Sequence, residues 1–430
     1  MDRPRASAGL PEGVLRATLE PLFPVPAGQR IGGVLVRRGP VVAGEARVLV
    51  GATEVPVEWG LTSPRAGQRF PGAHDPGHSR FRATADPGLT GPARLVVRGP
   101  DGDDVVLATL DRPWAPADPG LDTLPAIAAA VDSWVESGER PEGGHERLLA
   151  GLGAVPVADR DRRWVETFTL ANLAFRALPR QAFQDLVRLR RAHAEEDDLP
   201  AFARFWGRAE RALDGQVLTA HGYEPAIAER PADQVWREVA DVCSAVRERG
   251  LEVYLCAGTL LGLVRDGAPI PYDYDADVTV LLPGPTADAA AEQFWRFKER
   301  LAADGLLSTA YERKERHHAR IISDSGLPVD LFPGWVDDDG RLRAWPYSAG
   351  TVRAAEVLPL ERETVTGHDL PVPRVPDAVL AANYGADWRH PDPVFRFDWL
   401  TAREALADWV AASAERRGRS PLRDVPPGEA

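Results

Sequence analysis

Cysteine is scarce in this chain: its 430 residues include two, Cys243 and Cys256. Two cysteines exclude a disulfide framework and a zinc site with four cysteine ligands. Both lie beside apolar residues, and a free cysteine in such a place usually behaves as a small hydrophobic residue. We therefore predict that both are core residues without a redox role.

Long apolar runs and an excess of positive charge are missing as well. No apolar run reaches the length of about 18 residues that a membrane-spanning helix needs, and residues 1–5 lead into no apolar segment typical of a secretory signal. The net charge is −13, which argues against a nucleic-acid partner because such partners require a basic surface. We expect a cytoplasmic protein, and we leave open peripheral contact at the inner membrane face.

Glycine and proline, 39 of each, do not reach low-complexity levels but help to divide the chain. Residues 28–117 contain short β-branched runs separated by Gly, Pro and Asp, which is typical of a β-sandwich. Residues 120–228 carry apolar residues at helical spacing and predict a helical region. We assign residues 1–27 to a lead-in, 229–415 to an α/β domain and 416–430 to a disordered tail.

The same patterns predict individual elements. Helical periodicity predicts helices over residues 124–137, 160–177, 181–195, 200–221 and 232–249. In the C-terminal region we predict strands over 251–256, 278–282, 319–323 and 327–332, with helices over 260–264 and 286–304.

Two carboxylates stand at the start of an apolar strand. Asp275 and Asp277 are spaced i, i+2 just before the run 278–282. Side chains alternate along a strand, so both carboxylates should point to one face. Adjacent carboxylates repel each other unless a cation lies between them, and hard oxygen ligands suit Mg²⁺ or Mn²⁺. We predict that Asp275 and Asp277 hold such a metal ion.

A Gly-Thr turn lies between a predicted strand and a short predicted helix. Glycine at position 258 lets backbone N–H groups approach a phosphate, and the start of a helix favours an anion. Arg265, at the end of that helix, can pair with phosphate oxygens. We predict that Gly258, Thr259 and Arg265 bind phosphate.

Two further acids belong to the predicted site. Asp330 is a single carboxylate inside the short apolar strand 327–332, and a lone acid there needs a partner such as a shared metal ion. It is our candidate for a metal ligand or for the proton acceptor at a substrate hydroxyl, two roles that the sequence does not separate. Asp273 is grouped with the substrate-binding residues, as a further ligand or a supporting acid.

The order of these features is the layout of the nucleotidyltransferase fold: a strand, a Gly-Thr turn, a helix, a D-x-D pair on the next strand and one more Asp on a later strand. The predicted fold class is therefore α+β and multi-domain. It comprises an N-terminal β-sandwich-like domain, a helical middle region and a C-terminal nucleotidyltransferase-like α/β domain.

The local sequence resembles the signature of the LicD family, to which fukutin and fukutin-related protein also belong. Residues 258–265 read G-T-L-L-G-L-V-R and residues 270–277 read I-P-Y-D-Y-D-A-D. Later motifs agree in order and spacing: V-D-L-F-P at 329–333, P-V-P at 371–373 and N-Y-G-A-D-W at 383–388. The resemblance covers about residues 232–400.

The resemblance implies a metal-dependent phosphotransferase. Such an enzyme takes a phosphorylated group, of the phosphocholine or alditol phosphate type, from a CDP-activated donor. It places that group on a hydroxyl of a glycan or teichoic-acid-like polymer, and CMP leaves. The implied cofactor is Mg²⁺ or Mn²⁺, and the implied partners are a CDP-linked donor and a glycan or phosphoglycan acceptor.

Two parts of this region need comment. Tyr274 stands where the family has the middle Asp of its acidic triplet, and strand alternation predicts that it faces away from Asp275. The adjacent His317 and His318 accompany a local basic cluster of Arg313, Lys314, Arg316 and Arg320. We favour a surface position for the histidines and a solvated face for the cluster, with contact to a phosphorylated acceptor as the alternative.

Two other functions fit parts of the sequence. A nucleotidyltransferase on the same fold would move the nucleotidyl group itself to a small acceptor, and it would release pyrophosphate rather than CMP. A non-catalytic glycan-binding protein would use the N-terminal β region, although the intact acids at 275, 277 and 330 argue against a dead site. Fold alone does not decide between these functions.

Overall fold

The structure is a computed structural model, and it is mixed α/β. It describes residues 11–424 except 12, 27, 40–44, 64–65, 67–69, 71–72, 87–88, 90, 100, 111–118, 220–221, 313–316 and 396. The chain divides into two compact units, Met1–Asp214 and Gly215–Ala430. Within the described residues, no helix combines the length and the apolar character that crossing a membrane requires.

Strands of the first unit form two antiparallel sheets. One sheet has the order β1 (Val14–Val25), β2 (Gly28–Arg37), β6 (Arg80–Ala85) and β5 (Val57–Leu61). The other has the order β4 (Thr53–Val55), β3 (Ala46–Val50), β7 (Ala93–Arg98) and β8 (Asp104–Leu110). Alternate residues such as Phe81 and Ala83 of β6 and Val48 and Val50 of β3 enter one shared core, as strand alternation requires.

The first strand lies in the segment that the sequence analysis assigned to a lead-in. Strand β1 pairs with β2 along most of its length, and Val14, Ala17 and Leu19 are buried in the core of the two sheets. Its prolines at 21 and 24 hid the pattern, because proline inside a run argues against a strand. Residues 1–10, 12 and 27 of the predicted lead-in lie outside the described part of the chain.

Helices follow in the first unit: α1 (Leu124–Ser137), α2 (Gly144–Ala154), α3 (Arg162–Ala174), α4 (Pro179–Glu195) and α5 (Leu199–Leu213). The side chains of Thr123, Asp161 and Asp198 accept backbone N–H groups at the starts of α1, α3 and α5, as N-cap residues do. Helix α2 has several glycines and was not predicted.

Helix α5 ends earlier than predicted, at Leu213 rather than near residue 221. Asp214 and Gly215 both adopt the left-handed conformation, with φ of 49° and 72°, which stops the helix. A hairpin of β9 (Gln216–Leu218) and β10 (Tyr223–Pro225) then opens the second unit.

The second unit is built on a mixed sheet. Its order is β11 (Glu252–Leu255), β12 (Ala276–Leu281), β14 (Pro328–Val336), β15 (Arg341–Ala344) and β16 (Ser348–Arg353), and β13 (Ala319–Ile322) pairs with the first half of β14. Strands β12 and β14 are parallel, whereas the other pairs of this sheet are antiparallel. A separate hairpin joins β17 (Glu361–Val365) to β18 (His368–Val372).

Helices surround this sheet: α6 (Ala232–Glu248), α7 (Ala257–Leu261), α8 (Ala287–Ala303), α9 (Thr309–Glu312), α10 (Ala354–Val357), α11 (Pro376–Tyr384), α12 (Trp399–Ala405) and α13 (Ala407–Arg419). A π-helical turn, Gly262–Asp266, continues α7. The predicted core position of Cys243 and Cys256 is confirmed, because both thiols are free and buried in the core of this unit.

The predicted disordered tail begins inside a helix. Helix α13 continues to Arg419, and a short 3-10 turn covers Pro421–Asp424. Its Trp409 is fully buried and contacts the rings of Phe294 and Trp335. Residues 425–430 lie outside the described part of the chain.

Candidate active site

Strand register places three charged side chains in one row across the sheet. Asp277 of β12 is paired with Asp330 of β14, and Asp330 is paired in turn with Arg320 of β13. Residues directly opposite each other on neighbouring strands share a face of the sheet. The row therefore brings two carboxylates and a guanidinium group together, although the residues are far apart in sequence.

Three acidic side chains lie close together where the chain enters β12. One ligand oxygen from each of Asp273, Asp275 and Asp277 lies within 4.8 Å of the others. Asp275 and Asp277 are each 8% exposed. Buried carboxylates at such distances offer the hard oxygen donors that Mg²⁺ and Mn²⁺ prefer. The donor set therefore fits a divalent cation.

The electrostatics of this acidic cluster point the same way. Burial raises the pKa of Asp275 and of Asp277 well above the ordinary range, and the neighbouring carboxylates raise both further. The pKa of Asp273 is also raised, mainly by burial. Arg320 is the positive charge that opposes these effects at Asp275 and Asp277. One guanidinium group offsets only part of the negative charge of these carboxylates, and a bound divalent cation would offset the rest.

Gly258 and Thr259 hold the acids in place. The hydroxyl of Thr259 accepts the backbone N–H of Asp277 at 2.7 Å, and the backbone N–H of Gly258 acts to lower the pKa of the Asp277 carboxyl group. A Cβ atom at Gly258 would lie 2.1 Å from Oδ2 of Asp273, so only glycine lets that carboxylate approach. The structure thus directs both residues, which the sequence assigned to phosphate, toward the acidic cluster.

Arg265 is paired with its own neighbour. Its Nε and Nη2 donate to the two carboxylate oxygens of Asp266 at 2.9 and 2.7 Å, and Nη2 also contacts the Tyr272 hydroxyl at 3.1 Å. It is absent from the described lining of the cavity above the acids. Among the described residues, Arg265 forms no hydrogen bond or ion pair with Asp275, Asp277 or Asp330.

A cavity of about 540 Å³ opens over the row of charges. One part of its lining is charged and includes Asp275, Asp277, Arg320 and Asp330. The other part is largely aromatic and is formed by Tyr274, Tyr311, His317, His318, Phe332, Trp345, Tyr347 and Trp399. Trp399 is 51% exposed, so an aromatic face is available to a ligand. Such a cavity can hold a charged group against the acids and a flat group against the rings.

Arg320 is a site residue whose role the sequence analysis missed. Its Nη2 donates to Oδ2 of Asp275 at 2.7 Å and to Oδ2 of Asp330 at 2.8 Å, and its Nε donates to Oδ1 of Asp330 at 2.5 Å. The guanidinium carbon lies 4.2 Å from the centre of the Tyr311 ring. One signal was available: a single cation inside an apolar strand, like a single acid there, needs a partner.

Asp330 is held by more than Arg320. The Tyr311 hydroxyl donates to its Oδ2 at 3.1 Å, and Nε2 of His318 lies 3.3 Å from the same oxygen. Burial acts to raise the pKa of Asp330, but the hydrogen bonds from Arg320 and His318 outweigh it and lower the pKa to about 2. The groups that surround Asp330 therefore favour its ionised form.

The surface prediction is wrong for His318, which is 5% exposed and stacks on the ring of Phe332. His317 lines the cavity and contacts the Trp345 ring. Arg320, predicted on a solvated face, is largely buried instead. The other members of the predicted basic cluster, Arg313, Lys314 and Arg316, lie outside the described residues.

The expected orientation of Tyr274 is also wrong. Tyr274 lines the same cavity as Asp275, and the Arg320 guanidinium carbon lies 5.8 Å from the centre of its ring. The reason is that β12 begins at Ala276. Residues 273–275 form an irregular approach to the strand, where side chains do not alternate between two faces.

Comparison with known proteins supports the family resemblance. Residues 250–375 match the family model described as LicD/FKTN/FKRP, nucleotidyltransferase domain. The matched segment contains Asp273, Asp275, Asp277, Arg320 and Asp330. The resemblance to the LicD family is therefore confirmed for this part of the second unit. No curated protein matches the chain.

Proposed function

We propose that the LicD-family domain at residues 250–375 is a metal-dependent phosphotransferase. The observation that carries this proposal is the acidic cluster of Asp273, Asp275 and Asp277, whose ligand oxygens lie within 4.8 Å of one another beside a cavity of about 540 Å³. Asp275 and Asp277 hold Mg²⁺ or Mn²⁺, and Asp273 is the further ligand. When bound, the ion offsets the negative charge that develops on the transferred phosphate.

The proposed donor is CDP-linked and carries a phosphocholine or alditol phosphate group. The acceptor is a hydroxyl of a glycan or of a teichoic-acid-like polymer. In the reaction a new P–O bond forms between that hydroxyl and the β-phosphorus, the bond from the β-phosphorus to the oxygen of CMP breaks, and CMP leaves. The hydroxyl proton passes to a base or to water.

Two roles were open for Asp330. The hydrogen bonds that it accepts from Arg320 lower its pKa and make it a weak proton acceptor, so of the two roles we favour that of a metal ligand. The aromatic part of the cavity, which includes Trp345, Tyr347 and Trp399, suits the flat base of the donor or a sugar ring of the acceptor. We also propose that the enzyme acts on the cytoplasmic side, with peripheral contact at the inner membrane face.

The test is release of nucleotide products. The full chain is incubated with Mg²⁺, a glycan or teichoic-acid-like acceptor and, separately, CDP-choline, CDP-ribitol, CDP-glycerol or CTP, and CMP and pyrophosphate are assayed. We expect CMP release from one CDP-linked donor. Asp275→Asn or Asp277→Asn should lower the rate of CMP release at least a hundredfold, because each removes a group that acts on the charge of the transition state. Asp241→Asn, on an exposed position of α6, is the matched control.

Other outcomes point to the other functions. Pyrophosphate released from CTP would indicate nucleotidyl transfer and contradict the proposal. Full activity in Asp275→Asn and Asp277→Asn would contradict the assigned site. If the chain binds neither Mg²⁺ nor nucleotide, the non-catalytic glycan-binding function becomes the better explanation.

A further inference from the structure

A diphosphate donor brings several negative charges to a site that is already acidic. Among the described residues that line the cavity, Arg320 is the one arginine or lysine. Arg265, the cation that the sequence assigned to phosphate, is paired with Asp266 outside this lining. The structure therefore offers Arg320 as the group that can receive the donor phosphates.

Arg320 already has partners, and they are unequal. Asp330 accepts from both Nε and Nη2 in the two-pronged arrangement that favours arginine. Asp275 accepts from Nη2 alone, and Nη2 also donates to Asp330. The rings of Tyr311 and Tyr274 lie near the guanidinium group. Loss of the Asp275 contact would therefore leave Arg320 fixed by Asp330 and the two rings.

We infer that Arg320 competes with the metal ion for Asp275. Once the ion binds that carboxylate, the N–H group of Nη2 that had contacted Asp275 binds the diphosphate of the CDP-linked substrate. The inference rests on the proposed function, because it uses the same metal site. Asp275 is the one acid that belongs both to the cluster within 4.8 Å and to the Arg320 contacts. A carboxylate bound to a cation is a weaker acceptor for a guanidinium group, because the cation offsets its negative charge and repels the guanidinium group.

This assignment predicts effects of opposite sign on two ligands. Without Arg320, a competing positive charge is gone, so the acidic cluster binds a divalent cation more tightly. The same change removes the cation that receives the diphosphate, so a diphosphate binds more weakly. A purely structural ion pair predicts something different: its loss would loosen the acidic cluster and weaken both ligands.

The experiment measures binding rather than turnover. Wild type, Arg320→Met and Arg320→Lys of the full chain are titrated with Mn²⁺ by calorimetry. They are then titrated with the preformed Mg²⁺–pyrophosphate complex, followed by tryptophan fluorescence, because Trp345 and Trp399 line the cavity. Arg249→Met is the control: Arg249 is a similarly buried arginine that pairs with Asp304.

We expect Arg320→Met to bind Mn²⁺ about tenfold more tightly and pyrophosphate about tenfold more weakly, changes typical of one charge-assisted hydrogen bond. Arg320→Lys keeps the charge but loses the two-pronged contact, so its Mn²⁺ affinity stays near that of wild type and its pyrophosphate affinity falls. Arg249→Met should match wild type for both ligands. Circular dichroism checks that each variant is folded.

The inference fails if folded Arg320→Met binds Mn²⁺ equally or more weakly than wild type. It also fails in its phosphate part if pyrophosphate affinity is unchanged in Arg320→Met or absent in wild type. Failure of the proposed function is seen separately, in wild type before any substitution, as an absence of Mn²⁺ binding. That result would overturn both proposals.

Discussion

Neutralising one acid of the cluster should stabilise the protein when no metal ion is present. In wild type, Asp277 is a buried carboxylate close to Asp273 and Asp275. The substitution Asp277→Asn removes the charge but keeps the shape and an oxygen that can accept the N–H of Gly258. We therefore expect the metal-free variant to unfold at a higher temperature than wild type.

The magnitude follows from the spacing of the acids. Two unit charges within 4.8 Å of each other repel each other by at least about 3.5 kcal/mol at an effective dielectric constant of about 20. Arg320 offsets part of this repulsion, and proton uptake by the cluster relieves another part. We therefore expect the free energy of unfolding to rise by about 2 kcal/mol. This corresponds to an increase of about 4–8 °C in the melting temperature of a unit of this size.

The pH dependence of the free energy of unfolding tests the direction of this effect a second time. The pKa of Asp277 is raised in the folded protein, mainly by burial, so folded wild type binds more protons than the unfolded chain. Its stability therefore falls as the pH rises from the ordinary Asp pKa through the raised pKa. The advantage of Asp277→Asn should be absent near pH 4, where the wild-type carboxyl group is protonated, and full above the raised pKa.

Thermal unfolding is measured in a chelator and again in excess Mg²⁺. Mg²⁺ should raise the melting temperature of wild type, since a ligand that binds the folded state stabilises it, and it should have little effect on Asp277→Asn. Asp241→Asn, on the exposed face of α6, controls for a general effect of charge. A chelated Asp277→Asn protein that melts at or below the wild-type temperature at pH 8 would refute the electrostatic reasoning.

Two further predictions test other parts of the second unit. Gly258→Ala places a methyl group 2.1 Å from Oδ2 of Asp273, so calorimetry should show about 10- to 100-fold weaker Mn²⁺ binding. Gly418→Ala, which adds the same group in open space, should not change Mn²⁺ affinity, and equal affinities in the two variants would contradict the steric explanation. Lys298→Met leaves the buried carboxylate of Glu312 without its cation and should cost about 3–5 kcal/mol in urea unfolding. The double variant Lys298→Met with Glu312→Leu should recover most of that loss, and no recovery would contradict the ion-pair explanation.

Local sequence was sufficient for elements with a strong period and clear ends. Helix α1 has the predicted bounds, because Thr123 starts it and Gly138 ends it in the left-handed conformation. Helix α8 lies within one residue of its prediction for similar reasons. Predictions were wrong where a local signal was hidden, as with the prolines in β1, or where an Asp-Gly pair ended α5 early.

The acids were also predictable, because their motif is short and ordered. The i, i+2 spacing identified Asp275 and Asp277, and a lone acid on an apolar strand identified Asp330. The structure groups Asp273 with the first two and surrounds Asp330 with Arg320, Tyr311 and His318. Whether Asp330 is a metal ligand stays a proposal.

What this amino-acid sequence determined unaided was a set of chemical groups, the acids and the Gly-Thr turn, together with the family to which residues 250–375 are matched. Tertiary structure decided which cation meets them. The local pattern favoured Arg265, at the end of the short helix, and placed Arg320 in a basic cluster on a solvated face. Strand register places Arg320 opposite Asp330, and Asp330 opposite Asp277. Register depends on the packing of the whole sheet, because shifting a strand by one residue would turn its side chains to the opposite face.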